Sequence, residues 1–155
     1  MINFNWKTNF QKGLVIALLL SFPAYGYSQD TKTDRTLVIE AVEDYVLGLY
    51  EVEPERIALS VDTTLHKIGY YDYEGKSYYH VPMTYQQLYD LSAKWNKDGN
   101  QANDQSPKKI EIYEVHDRTA SAKLTAMWGI DFMDLSKSNS GKWKIMNIMW
   151  QAPPK

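Results

Sequence analysis

Between Ala120 and Leu135 apolar residues fall on every second position: Ala120, Ala122, Leu124, Ala126, Trp128, Ile130 and Phe132. A period of two marks a strand with one face against a core. This stretch is therefore expected to form one long strand, and it commits the last third of the chain to a sheet. Ile110–His116 precedes it across a tight turn at Asp117-Arg118, and Trp143–Trp150 follows a hairpin signal at Asn139-Ser140-Gly141. Earlier in the chain the period changes. Leu37, Val38, Ala41, Val42, Tyr45, Val46 and Leu49 recur at helical spacing behind Thr31–Asp34, where Asp34 suits the N-cap. Pro54 opens a short second helix over Glu55–Val61. Leu65–Tyr71 and Ser77–Val81 flank Glu74-Gly75 as a hairpin that Pro82 ends. Thr84 with Gln87 forms a capping box for a third helix, which carries Tyr85, Leu88, Leu91, Ser92 and Trp95 on one face. Asn96–Pro107 is polar and forms a surface loop. The order predicts an α+β fold, a curved antiparallel sheet with three helices on one face, in one domain over residues 34–151 and a tail at 152–155.

The closing strand is apolar on both sides, with Trp143, Ile145 and Met149 on one and Met146, Ile148 and Trp150 on the other. A sheet buried on one side alternates polar and apolar residues, so the second side needs cover. A partner copy is the economical source, and a homodimer through the sheet is expected. A barrel-like curl of the sheet would cover part of that side alone.

Residues 1–28 stand apart from this plan. Lys7 and Lys12 precede a short apolar run, Leu14 to Leu20, and small residues Gly26 and Ser28 follow. A membrane-spanning helix needs ~20 apolar residues, so the segment is expected to be a secretory signal peptide cut after Ser28. Its removal takes two lysines and no acids, leaving 15 basic and 19 acidic groups and a net charge of −4. That balance speaks against nucleic acid and anionic membranes as partners. The chain has no cysteine, which excludes a cysteine lipid anchor and a disulfide-stapled core. The expected product is soluble, periplasmic or secreted, with no integral membrane span.

The closing Gly141-Lys142-Trp143-Lys144-Ile145-Met146-Asn147-Ile148-Met149-Trp150, with Asp131-Phe132-Met133-Asp134-Leu135 and Leu65-His66-Lys67, resembles the nuclear-transport-factor-2-like superfamily, and within it the bacterial "putative lumazine-binding" branch. The resemblance covers roughly Asp34 to Pro154. It implies a cone-shaped α+β domain with an apolar pocket between sheet and helices, often dimeric through the sheet. It implies no single activity, because that superfamily holds dehydratases, ketosteroid-type isomerases, cyclases, binding proteins and interaction modules. Function must therefore be argued from the site.

The candidate residues divide between binding and catalysis. No His-x-His, no His-Glu-x-x-His and no cysteine is present, so no metal and no cofactor is expected. The resemblance implies His–Asp or Asp–Tyr pairs as acid and base, which makes His66, His80 and Asp131 the weak catalytic candidates. Simple alternation sets Asp131 opposite the Trp128, Ile130 and Phe132 face, and a bulge around Gly129 would reverse that parity. Asn147 interrupts an apolar strand, either to orient a ligand or to satisfy a loop carbonyl. Seven tyrosines between Tyr70 and Tyr89 form either a cross-strand ladder or a stacking surface. The expected function is the binding of a small organic ligand without catalysis. The pocket is drawn from Tyr45, Leu49, Trp128, Phe132 and Asn147, with His66 and Tyr79 at its mouth. A cofactor-free lyase or isomerase and a sheet-mediated interaction module are the alternatives.

Overall fold

The computed structural model describes residues 32–73 and 77–153, and the side chains of all these except 72, 73 and 77–79. The expected signal peptide, the tip of the first hairpin, the Tyr79 side chain and the last two residues of the tail lie outside the described residues. Helix α1 runs over Asp34–Tyr50 and α2 over Pro54–Ser60. Strands β1 (Val61–Tyr73) and β2 (Ser77–Met83) follow, then α3 (Tyr85–Ser92) and strands β3 (Lys109–Val115), β4 (Thr119–Ala126), β5 (Gly129–Lys137) and β6 (Trp143–Gln151). The six strands form one sheet in the order β2-β1-β6-β5-β4-β3. Neighbours are antiparallel except β1 and β6, which run parallel, so the sheet is mixed rather than wholly antiparallel.

The stretch expected as one long strand is a hairpin. Ala126 pairs with Gly129 across the two-residue turn Met127-Trp128. Such a turn puts the paired residues on the same face, so the inward phase passes from even positions in β4 to odd positions in β5. Ala120, Ala122, Leu124 and Ala126 are buried in the first strand, and Gly129, Asp131, Met133 and Leu135 in the second. Gly129 has φ +133°, and a Cβ there would lie 2.0 Å from the Gln151 carbonyl oxygen. The parity reversal occurs, but a turn makes it and not a bulge.

The closing strand corrects the second reading. The β5–β6 register shifts between Asp134 and Leu135, which leaves Met146 unpaired. That irregularity moves Ile148 and Trp150 to the inner side with Trp143 and Ile145, while Asn147 and Met149 turn outward. The strand is therefore one-faced on either side of a bulge.

At the start of α1 the cap is Thr33, whose Oγ1 accepts from the Thr36 N–H, and not Asp34. Asp34 ties the helix to the sheet instead, accepting from Trp143 Nε1 at 3.1 Å and from Lys137 Nζ at 2.9 Å. Pro82 lies inside β2 rather than ending it, which is tolerated because β2 is an edge strand. The capping box at Thr84 and Gln87 is formed as expected. The loop before β3 is organised by the buried Asn96. It donates to the Tyr50 and Ala102 carbonyls and accepts from the N–H groups of Gln101 and Ala102.

Candidate functional site

Tyr45 and Leu49 lie one turn apart on the buried side of α1. Leu88 and Leu91 on α3, and Trp95 just beyond it, continue one helical face. With Lys67 of β1, Met83 of β2, Trp128 of the β4–β5 turn and Trp150 of β6 they enclose a cavity of about 270 Å³. Trp95 and Trp128 meet edge to face, their ring centroids 5.3 Å apart, and Tyr45 meets Trp128 the same way at 5.9 Å. Tyr50 stacks on Trp95, donates to the Pro107 carbonyl and accepts from the Met127 N–H, which fixes the turn that carries Trp128. Trp150 lies across Gly69, where a Cβ would sit 1.8 Å from its Nε1, so a glycine in β1 is what lets this wall stand.

Lys67, which lines the cavity, belongs to a buried pair with Asp131, which does not line it. Lys67 is 6% exposed and Asp131 is 0% exposed. Lys67 Nζ donates to Tyr45 Oη at 2.5 Å and lies 3.8 Å from Asp131 Oδ1. Trp128 Nε1 donates to Asp131 Oδ2 at 2.7 Å, while Oδ1 accepts no hydrogen bond among the described residues. Burial pushes the Asp131 carboxyl up, with Lys67 opposing. Burial also lowers the Lys67 ammonium, with Asp131 opposing. The Tyr45 hydroxyl is driven well above its ordinary value by burial and then by the Asp131 carboxylate.

Of the expected pocket residues, Tyr45, Leu49 and Trp128 line this cavity. Phe132, Asn147 and His66 do not. The turn at Met127-Trp128 sets Phe132, 46% exposed, on the outer side of the sheet, the bulge at Met146 sets Asn147 there, and His66 lies there between the buried Leu65 and Lys67 of β1. There His66 Nδ1 donates to Asn147 Oδ1 at 3.1 Å and Asn147 Nδ2 donates to Asp134 Oδ2 at 3.1 Å. Asn147 thus bonds two side chains rather than a loop carbonyl, and with Phe132 it lines a separate hollow on the outer side of the sheet. Tyr79 pairs with Tyr71 in the β1–β2 register. His80, opposite Tyr70, shares the outer phase and is exposed, its ring 5.9 Å from that of Tyr70. Asp131 therefore faces away from both imidazoles, and the His–Asp pair is not formed. Its partners are Lys67 and Trp128.

Sequence reasoning missed Lys67, Met83, Leu88, Leu91, Trp95 and Trp150 as lining residues. A signal was present for the first: Lys67 keeps the phase of Leu65 and Gly69 in a strand whose inner residues are otherwise apolar. Asp131 does the same with Met133 and Leu135. A cation and an anion on two apolar phases point at each other.

A family model described as "putative lumazine-binding" matches residues 33–151. Comparison with curated proteins gives no match. Among solved structures, a nuclear-transport-factor-2-like protein of unknown function from Shewanella baltica is similar at 18% identity and TM-score 0.58, over 79% of this chain and 95% of that one. One of the same description from Silicibacter pomeroyi is similar at 15% identity and TM-score 0.57, over 78% of this chain and 99% of that one. A ketosteroid isomerase-like protein from Erwinia carotovora atroseptica is similar at 13% identity and TM-score 0.51, over 77% and 96%. At these identities the likeness shows the fold, α+β and nuclear-transport-factor-2-like, and nothing finer.

Proposed function

We propose that this chain, which belongs to the putative lumazine-binding family, holds a small flat ring compound in the cavity between its sheet and its helices. The observation that carries this reading is a cavity of about 270 Å³ walled by Trp95, Trp128 and Trp150 and polar at one end through Lys67. An apolar cavity of roughly 150 Å³ accepts benzene, so this one has room for two fused rings. Indole walls favour a planar guest by stacking and edge contacts. The lining Lys67 Nζ is a donor, and a guest with a hydrogen-bond acceptor at its leading edge suits it.

Thermal-shift titration with lumazine, riboflavin, a steroid and a sugar tests the reading. A ligand at 100 times its Kd stabilises the fold by about 2.7 kcal/mol. Lumazine or another flat ring is expected to raise Tm in the native protein and to lose that effect when Leu91→Trp fills the cavity. No shift from any flat ring, or a shift that survives the filling, overturns it.

The basic start, short apolar run and small residues of positions 1–28 support export to the periplasm or beyond. Fractionation of expressing cells, with Edman sequencing of the product, is expected to find a soluble chain beginning at Gln29 outside the cytoplasm. A cytoplasmic chain with Met1 intact would sink that part. Among the described residues no helix is long and apolar enough to cross a membrane.

A further inference from the structure

Lys67 is a lysine placed where lysines are seldom found. It lines an aromatic cavity and is 6% exposed, with one hydrogen bond, to Tyr45, and a carboxylate 3.8 Å away. The distance to Asp131 exceeds a hydrogen bond, and Asp131 Oδ1 accepts none among the described residues although it is wholly buried. Two facing charges out of water carry a desolvation penalty for each ion. Moving one proton from Nζ to Oδ1 removes both charges and leaves the net charge of the pair at zero. An amine that lines the cavity and a carboxylic acid 3.8 Å from it are the parts needed to condense a carbonyl with a lysine.

We propose that Lys67 is a nucleophile that captures an aromatic aldehyde or ketone in this cavity as a Schiff base, with Asp131 as the proton donor. The proposal rests on the cavity being a ligand site. In the step, the Nζ lone pair attacks the carbonyl carbon, and an N–H proton passes to the oxygen to give a carbinolamine. Asp131 then protonates that hydroxyl, which leaves as water as the C=N bond forms. An amine, a carboxylic acid and a carbonyl become an iminium, a carboxylate and one water. Charge is conserved, and nothing is oxidised or reduced. The iminium then stands beside the Asp131 carboxylate. The lining explains the choice of an aromatic carrier: Trp95, Trp128 and Trp150 offer indole surface beside the amine, and Tyr45 Oη accepts from the nitrogen.

The test uses 6-methoxy-2-naphthaldehyde with sodium cyanoborohydride at neutral pH on the exported chain, read by intact mass and by peptide mapping. 2-Methoxynaphthalene is the isostere that lacks a carbonyl. The expected result is a mass shift for one reduced adduct per chain, mapped to Lys67, lost in Lys67→Met and suppressed by excess 2-methoxynaphthalene. The protection arm needs no variant, so it decides the matter even if Lys67→Met fails to fold. Label spread over the exposed lysines, or an adduct that 2-methoxynaphthalene does not suppress, overturns the proposal. If both compounds raise Tm and Lys67 carries no adduct, the covalent step falls and the pocket reading stands. If neither raises Tm and Lys67 carries no adduct, both fall.

Discussion

The Lys67–Asp131 pair concentrates the energetic risk of this fold in two residues. Removing one member of this buried pair leaves the other a buried polar group without its partner, at a cost of about 3 kcal/mol, whereas replacing both is often near neutral. Lys67→Met and Asp131→Asn are each expected to lower stability by about 3 kcal/mol in urea denaturation, and the double variant to lose much less than their sum. Additive losses would mean that the two groups do not interact. Neither residue stood out from composition. Lys67 was legible as a charge on an apolar phase and Asp131 was named through the family resemblance, but the phase of Asp131 was hidden because both phases of residues 129–135 contain apolar side chains. Tyr45 and Leu49 were legible as residues of one buried helix face, because a helix keeps one period for its whole length and cannot change face without a break. Asn147 was marked rightly as a polar residue that needs partners, but those partners are His66 and Asp134 on the outside of the sheet.

Where elements meet, short contacts between distant residues decide the geometry. Asp34 joins the first turn of α1 to both strands of the β5–β6 hairpin through Lys137 and Trp143. The Lys137 ammonium first, and the Trp143 N–H after it, hold its carboxyl below the usual carboxylate value of 3.8. The sign follows directly. A carboxyl with a depressed folded pKa contributes stability above its unfolded value, and the contribution is lost as pH falls through the folded value. The urea midpoint is thus expected to drop below about pH 4, and Asp34→Asn to remove part of that drop while lowering the midpoint at neutral pH. An Asp34→Asn curve parallel to the native one across pH 3–7 would count against the link. The helices, the capping box and the hairpin at Asn139–Gly141 were legible because capping and turn chemistry is local. The turn at Met127-Trp128 was not, because alternation continues across it and its one glycine follows the turn instead of sitting inside it. What makes that turn is tertiary: Tyr50 bonds the Met127 N–H, and Gly129 passes beside the Gln151 carbonyl.

For the whole molecule, the sheet has one face under the helices and one that carries exposed Tyr113 (53%), Phe132 (46%) and Met149 (50%). This outer face is where a second copy is expected to pack, because these exposed apolar side chains, and not a two-faced closing strand, call for cover. Light scattering with size exclusion is expected to find a dimer that Phe132→Lys and Met149→Lys together convert to a monomer with an unchanged circular dichroism spectrum. A native chain that stays monomeric at millimolar concentration would refute it. By itself the sequence determined the α+β class, the order of helices and strands over most of the chain, and the aromatic character of the cavity. Those follow from periodicity and from capping and turn residues, which act over a few positions. Only the tertiary structure decided which face each residue of β5 and β6 presents, that β1 and β6 run parallel, and that Lys67 meets Asp131. A strand has a period of two, so one turn or one bulge exchanges its faces, and contacts from elsewhere in the chain choose where that happens.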